Sequence, residues 1–336
     1  MRMRNKGRSR NPVFCAILCG ALAGSLLVEV SEACAADGYP SKPIRIVCPF
    51  PPGGGLDFVS RTLGEKLAER WRQPVVVDNR PGASGSIGAG IVAKAAPDGY
   101  TVLLASSSTM AVNPALQRLP YQAVIKDFVP VTLVSRVSYV LVVPPPVPAK
   151  SVAELIRLAK SQPGRLNYAS SGTGSASHLA MELFKNMAGV DLTHIPYKGS
   201  SPAVIDLIGG QVQTGFNNLI PALPHVKSGR LRALGVSGPA RSAAMPEVPT
   251  IAESGLPGYE ALQWYGVLLP ARAPRVIIDR LHQEIGAILR LPEVRERLTH
   301  EGGDVIGSTP GQFASHIENE IAKWTKVVNA ANIRAN

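Results

Sequence analysis

A chain of 336 residues, 45% of them hydrophobic and only 5% aromatic, is long enough to bury two cores rather than one. Its formal charge of +11 is spread along helix-like stretches and is not interleaved with aromatics. That argues against a nucleic-acid surface and leaves a modest pull on anions.

The N-terminus reads as a secretion signal. Arg2, Arg4, Lys6, Arg8 and Arg10 form a basic start, Pro12 to Val28 is apolar, and Ala33-Cys34-Ala35 offers small residues for cleavage before Ala36. The apolar run is short and broken by Gly20 and Gly24, which argues against an anchor. Removing residues 1–35 reduces 35 Lys/Arg and 24 Asp/Glu to 30 and 22, leaving +8. Cys15, Cys19 and Cys34 leave with the signal, and the remaining Cys48 reads as a small buried hydrophobe.

Strands and helices then alternate. Ile44 to Phe50 is strand-like, and Pro51-Pro52-Gly53-Gly54-Gly55 is a turn. A helix follows from about Leu56, with Leu56, Val59, Leu63, Leu67 and Trp71 on one face. Pro74 to Val77 reads as a buried strand. Gly82 to Gly88 is a flexible turn before a short helix through Lys94, and Tyr100 to Ala105 is a strand ending in Ser106-Ser107-Ser108-Thr109. This alternation predicts a parallel sheet.

Val129 to Val134 and Tyr139 to Val143 are two apolar runs, and Pro144-Pro145-Pro146 reads as a stiff crossover between domains. Ser151 with Glu154 is a capping box opening a helix through Lys160. Leu166 to Ala169 is strand-like, and Ser170 to Ser175 is a second glycine/serine turn before a helix from about Ser177. Further helices are expected from Ser201-Pro202 to Ile208, from Pro274, and from Thr309-Pro310. Leu231 to Val236 and Glu260 to Leu269 are extended. The last run could carry the chain back to the first domain.

Glycine/serine turns between a strand and a helix direct backbone N–H groups at the space above a helix N-terminus, a favourable place for an anion. The competing chemistries are weaker. Ser171, Ser175, His178 and Asp206 supply the residue types of a hydrolase, with Ser175 and His178 as the working pair, yet no Gly-x-Ser-x-Gly elbow occurs. Ser175 also suits helix capping. Gly53-Gly54-Gly55 lacks the Gly-Lys-Ser/Thr of a nucleoside triphosphate loop, and Gly172-Thr173-Gly174 lacks the third glycine of a dinucleotide fingerprint. The six histidines show no ligand spacing, so no metal or cofactor is expected. What remains is anion capture, with side-chain candidates Asp57, Ser107, Ser171, Ser175, His178, Tyr197 and Asn217. Asp57 could equally cap its own helix.

Taken together, Phe50-Pro51-Pro52-Gly53-Gly54-Gly55-Leu56-Asp57, Val77-Asp78-Asn79-Arg80-Pro81-Gly82-Ala83 and Pro97-Asp98-Gly99-Tyr100 make a recognisable series. Ser171-Gly172-Thr173-Gly174-Ser175 with His178, Pro196-Tyr197-Lys198-Gly199 and Trp264-Tyr265-Gly266 continue it in order over the mature chain. The series resembles the Bug family, the substrate-binding proteins of tripartite tricarboxylate transporters. The resemblance implies an α/β, type II periplasmic binding fold. Its two domains would comprise residues 36–138 with 262–336, and 139–261, with the ligand in the cleft. It also implies a small carboxylate, a dicarboxylate or aromatic acid, bound without catalysis. The partner would be the membrane subunits of a transporter, or a sensor; the protein would be periplasmic and monomeric. Phe50, Pro52, Gly53, Gly54 and Asp57 would hold a carboxylate, with Ser107 and Ser108 on the same side. Ser171, Gly172, Gly174, Ser175, His178, Tyr197 and Asn217 would line the other domain. The family commonly has an acidic residue where this chain has Asn217, so amino acids are expected to bind less well than plain organic acids.

Overall fold

The computed structural model describes residues 38–116, 119, 124–300 and 302–330, and the signal segment and its cleavage point lie outside them. Strand β1 (Ile44–Cys48) leads into helix α1 (Gly55–Trp71), and β2 (Val75–Asn79) into a short 3-10 turn and α2 (Ser86–Ala93). After β3 (Thr101–Ser106), a π-helical turn (Ser108–Val112) runs into α3 (Asn113–Leu116), and α4 (Val124–Asp127) precedes β4 (Phe128–Val143). Next come α5 (Val152–Ser161), β5 (Asn167–Ser170), α6 (Ala176–Ala188), β6 (Thr193–Pro196), α7 (Ser200–Ile208), β7 (Thr214–Asn218), α8 (Leu219–Lys227) and β8 (Arg232–Val236). The remaining described elements are β9 (Leu262–Pro270), α9 (Arg275–Leu289), α10 (Pro292–His300), β10 (Gly303–Val305) and α11 (Pro310–Ala330).

The strands form one ten-stranded sheet in the order β2-β1-β3-β9-β4-β7-β5-β6, with β8 and β10 also paired to β4. Each end is a parallel trio: β1 pairs β2 and β3, and β5 pairs β6 and β7. The expected parallel sheet is therefore mixed, because β4 and β9 join the trios antiparallel. The two apolar runs expected around residues 129–143 are one 16-residue strand. Residues 128–138 of β4 pair with β9, and residues 139–142 pair with β7. The chain thus passes from one half of the sheet to the other within β4. Pro144 to Pro146 come after that passage, not at it. They open a turn in which Val147 N–H donates to the Pro144 carbonyl.

The run read as a buried strand near Val77 is the edge strand β2, and Val76 is 55% exposed. Cys48 lies buried in β1, where burial pushes its thiol up to about 11, as suits a packing residue. Helix-spaced apolar stripes pack as expected: Leu56, Val59, Leu63 and Leu67 of α1 are buried, as are Phe313, Ile317, Trp324 and Val328 of α11.

The Ser151 cap forms at α5, but the Glu154 side chain reaches past Ser151 to the residue before it, so the box is not closed. Glu154 N–H donates to Ser151 Oγ at 3.2 Å, while the Glu154 carboxylate accepts from Lys150 N–H at 2.7 Å. Ser151→Ala is expected to lower unfolding stability by about 1 kcal/mol, read by urea denaturation, with no effect on ligand binding.

Candidate functional site

The site gathers at the carboxyl ends of the parallel strands, where the β1–α1, β3, β5–α6 and β6–α7 connections meet, the usual place for ligands in open α/β sheets. The β1–α1 loop turns at Gly53, whose φ of 81° suits glycine. Asp57 organises it. Its carboxylate accepts from Gly53 N–H at 3.0 Å, from Arg61 Nε at 3.0 Å and from Asn79 Nδ2 at 2.9 Å, and Asn79 Nδ2 also donates to the Phe50 carbonyl. Burial works to raise the Asp57 pKa, but the Arg61, Gly53 and Asn79 hydrogen bonds outweigh it and hold the carboxyl below its ordinary value. All three contacts are internal, so Asp57 holds the loop in shape and is committed to it.

In the β5–α6 loop, Gly172 and Gly174 take φ of 133° and 71°. Ser175 is the N-cap of α6: its Oγ accepts from His178 N–H at 3.2 Å. His178 Nδ1 accepts from Gly174 N–H at 3.2 Å, and its ring stacks on His194 with centroids 4.0 Å apart. Burial, and then Lys185, pulls the His178 pKa down to about 4. The serine thus meets the backbone of His178, and the acceptor nitrogen of the ring is already taken. The Ser175–His178 pair is a helix cap beside a packed imidazole, not a nucleophile with its base.

Two neighbouring spaces lie between these loops. The outer cavity, about 480 Å³, is walled by Phe50 and Pro51, by Pro81 to Gly85, by Ser171 to Thr173 and by Pro196 to Lys198. The inner one, about 20 Å³, is walled by Phe50, Pro51, Gly54 to Leu56, Ser108, Ser171, Ser200, Ser201, Asn218 and Gln263. Phe50, Pro51 and Ser171 border both. The N-termini of α1 and α7 therefore both open on the inner space, and their first-turn N–H groups have no partner within the helix. No Asp or Glu lines either wall, and Lys198 is the one charged side chain there among the described residues.

Direct bonds already cross the cleft. Ser84 Oγ donates to the Thr173 carbonyl at 2.6 Å, and Ala176 N–H donates to Ser108 Oγ at 2.9 Å. Of the expected residues, Phe50, Gly54, Ser108, Ser171, Gly172 and Tyr197 line the cavities. Tyr197 donates its hydroxyl to Asp206 at 2.7 Å, and burial together with Asp206 pushes its pKa to about 12. Pro52 and Gly53 are exposed at the tip of the β1–α1 turn, and Asp57, Ser107, Gly174, Ser175 and His178 are buried outside the two linings. Asn217 is buried with its Nδ2 on the Gly215 carbonyl, and it is Asn218 that lines the inner wall. Sequence reading missed Asn218, Gln263, Ser200 and Ser201 as wall residues. The N-terminal position of Ser200 and Ser201 on α7 was the one available signal.

A sheet whose halves are bridged by β4 and β9, with a cleft at the strand ends, is the architecture of a periplasmic binding protein. The family model "TctC: Tripartite tricarboxylate transporter family receptor" matches residues 59–333, and the chain belongs to this family. It is 42% identical over 301 residues to "Protein BugT" of Bordetella pertussis, covering 89% of this chain and 92% of that one. A solved structure described as "R. palustris Rpa4515 with adipate" superposes with a TM-score of 0.86 at 37% identity, covering 88% of this chain and 99% of that chain. The "MatC (Rpa3494) from Rhodopseudomonas palustris with bound malate" superposes at 0.82 and 32% identity, covering 86% of this chain and 100% of that chain. No helix among the described residues is long and apolar enough to cross a membrane.

Proposed function

We propose that this chain is a periplasmic receptor that captures a small carboxylate in the cleft and presents it to the membrane subunits of a tripartite tricarboxylate transporter. The observation that carries this reading is the inner cavity, where two helix N-termini and neutral hydrogen-bonding side chains meet with no acidic residue on the wall. An anion there gains charge-assisted hydrogen bonds and meets no like charge on the wall itself, the nearby Asp57 carboxylate being paired with Arg61. The outer cavity, with Lys198 at its edge, has room for the body of the acid. The similar structures holding adipate and malate support the same ligand class.

Two domains moving about β4 and β9 would let the acid enter and be enclosed. The change of partners along β4 after Ser138, and the start of β9 at Leu262, support the division into residues 36–138 with 262–336, and 139–261. Secretion by the segment before Ala36, and a monomeric state, complete the reading.

The test is thermal unfolding of residues 36–336 against small acids and their methyl esters. An acid that binds the folded state stabilises it by roughly 2.7 kcal/mol at a hundredfold excess over its dissociation constant. The expected result is a raised Tm with at least one acid and none with its ester. Equal shifts with acid and ester would overturn the anion site.

A further inference from the structure

The 3-10 turn before α2 is wound in a way that side chains resist. Gly82, Ala83, Ser84 and Gly85 take φ of 131°, 45°, 50° and 94° in succession, so two residues that carry a Cβ sit side by side in left-handed backbone space. Such a conformation costs free energy and is kept only where its surroundings enforce it. Asn113 enforces it here. It is fully buried, and its Nδ2 donates to the Ala83 carbonyl at 3.3 Å, to the Ser84 carbonyl at 3.0 Å and to Ser86 Oγ at 2.9 Å. All of these groups lie in residues 36–138, so the first domain shapes the turn from its own side chains.

What the turn presents is one hydroxyl. Ser84 Oγ donates across the cleft to the Thr173 carbonyl of the β5–α6 loop at 2.6 Å. That loop can come so near because Gly172, with φ of 133°, is bare: a Cβ built on it would lie 3.3 Å from Ser84 Oγ and 3.1 Å from the Tyr197 carbonyl. The acceptor is main chain, so the bond depends on the distance between two loops and on no side chain of the second domain. Ser84 borders the outer cavity, but its one hydroxyl hydrogen is committed to Thr173. The other crossing bond differs, since Ser108, which accepts from Ala176 N–H, borders the inner cavity where the anion is placed.

We propose that Ser84 is a preset latch between the domains: its bond to Thr173 favours the closed cleft, and by setting the closed fraction it scales the affinity for every solute by one common factor. This rests on the two-domain reading, with closure about β4 and β9, and adds a residue that tunes binding without choosing the ligand. The turn is already shaped within the first domain, so closing has little left to order at Ser84. A binding arrangement that is only partly populated lowers the apparent affinity by its fraction.

The experiment compares the mature protein with Ser84→Ala by small-angle X-ray scattering, without solute and with saturating adipate or malate, and by calorimetry and stopped-flow dissociation with the same two acids. Without solute, Ser84→Ala is expected to have a larger radius of gyration than wild type. At saturation the two radii are expected to agree, which also shows that the variant is folded. Both acids are expected to bind about three- to tenfold more weakly, by the same factor and through faster dissociation, as one neutral hydrogen bond allows. Ser84→Gly also lacks the hydroxyl but fits left-handed backbone without strain, and it is expected to behave as Ser84→Ala does. A glycine variant as compact as wild type without solute overturns the inference, because the shape of the turn and not the hydroxyl then holds the domains. Equal radii for wild type and Ser84→Ala without solute, with acid compacting both, overturn it as well and leave domain closure intact. Radii that are equal throughout remove domain closure and the inference together. Losses that differ clearly between the two acids make Ser84 a ligand contact and overturn the common factor. Should neither acid bind, the carboxylate reading fails for these probes, and the solute-free radii alone decide the latch.

Discussion

Gly199→Ala is expected to weaken acid binding by at least tenfold while the protein remains folded. Gly199 is the N-cap of α7, with φ of 129°, and a Cβ built on it would lie 2.9 Å from Pro51 Cδ and 3.0 Å from Pro51 Cγ. Pro51 belongs to the β1–α1 loop on the far side of the cleft, so a methyl group at 199 is a wedge between two ligand-bearing loops. A contact under 3.0 Å against a ring carbon forces one side to move. If the ligand is bound by loops that must approach each other, the wedge acts selectively on the arrangement that binds, and affinity falls with the population of that arrangement. The substitution also places a side chain in left-handed backbone space, which costs of order 1–3 kcal/mol whether or not the cleft closes. Gly210→Ala separates the two effects. Gly210 has φ of 72° and open space where its Cβ would go, so it carries strain without a wedge. Both variants are expected to lose Tm to a similar extent, and only Gly199→Ala to lose affinity in calorimetry. Equal retention of affinity would mean that the two loops need not meet for an acid to bind.

That wedge shows where the sequence was readable and where it was not. The turns after β1 and β5 were legible because glycine and serine clusters between an apolar run and a helical stripe have few other uses. The same reading could not pair them, since the approach of Gly199 to Pro51 joins residues far apart in the chain. Asp57 stood open between ligand and cap until its three internal partners were seen. Asn217 and Asn218 differ by one position in β7. Register sets Asn217 opposite Val140 and Asn218 opposite Tyr139, and a step of one residue changes the face of a strand. Gln263 gave no local signal. Its meaning depends on β9 returning beside β4 so that Tyr139 and Ser107 reach one amide oxygen. The prolines at 144–146 misled in the other direction. Stiffness suggested a joint between domains, whereas the passage from one half-sheet to the other is made within β4, before them.

The stacked imidazoles behind the β5–α6 loop are expected to make stability fall in acid. Tyr168, His194 and His178 form a row, with centroids 4.9 Å apart between Tyr168 and His194 and 4.0 Å apart between the two histidines. His194 Nε2 meets Ser170 Oγ at 2.6 Å, and His178 Nδ1 can accept the Gly174 N–H only while that nitrogen is unprotonated. Burial is the main cause lowering both groups, His178 to about 4 with Lys185 adding, and His194 to about 3 with His178 and Lys185 adding against Glu182. Unfolded, each returns to about 6.5. Between these values the unfolded chain binds more protons than the folded one, so stability increases with pH. The contribution is complete above pH 6.5 and is lost as pH falls toward 4. For His178 alone, a fall from 6.5 to about 4 corresponds to on the order of 3 kcal/mol. His225 and His316 are lowered by burial as well, so the wild-type slope is a composite. The informative quantity is the difference from His178→Gln, which keeps a side-chain acceptor for Gly174 and does not titrate. Urea midpoints at pH 7, 5.5 and 4.5 are expected to drop more steeply for wild type than for the variant. Acid affinity in the wild type is expected to fall over the same interval, because Gly174 anchors the loop that presents Ser171 and Gly172 to the cleft. Parallel curves for the two proteins would show that His178 stays neutral in both states or charges without cost, and would remove it as the source of the acid sensitivity.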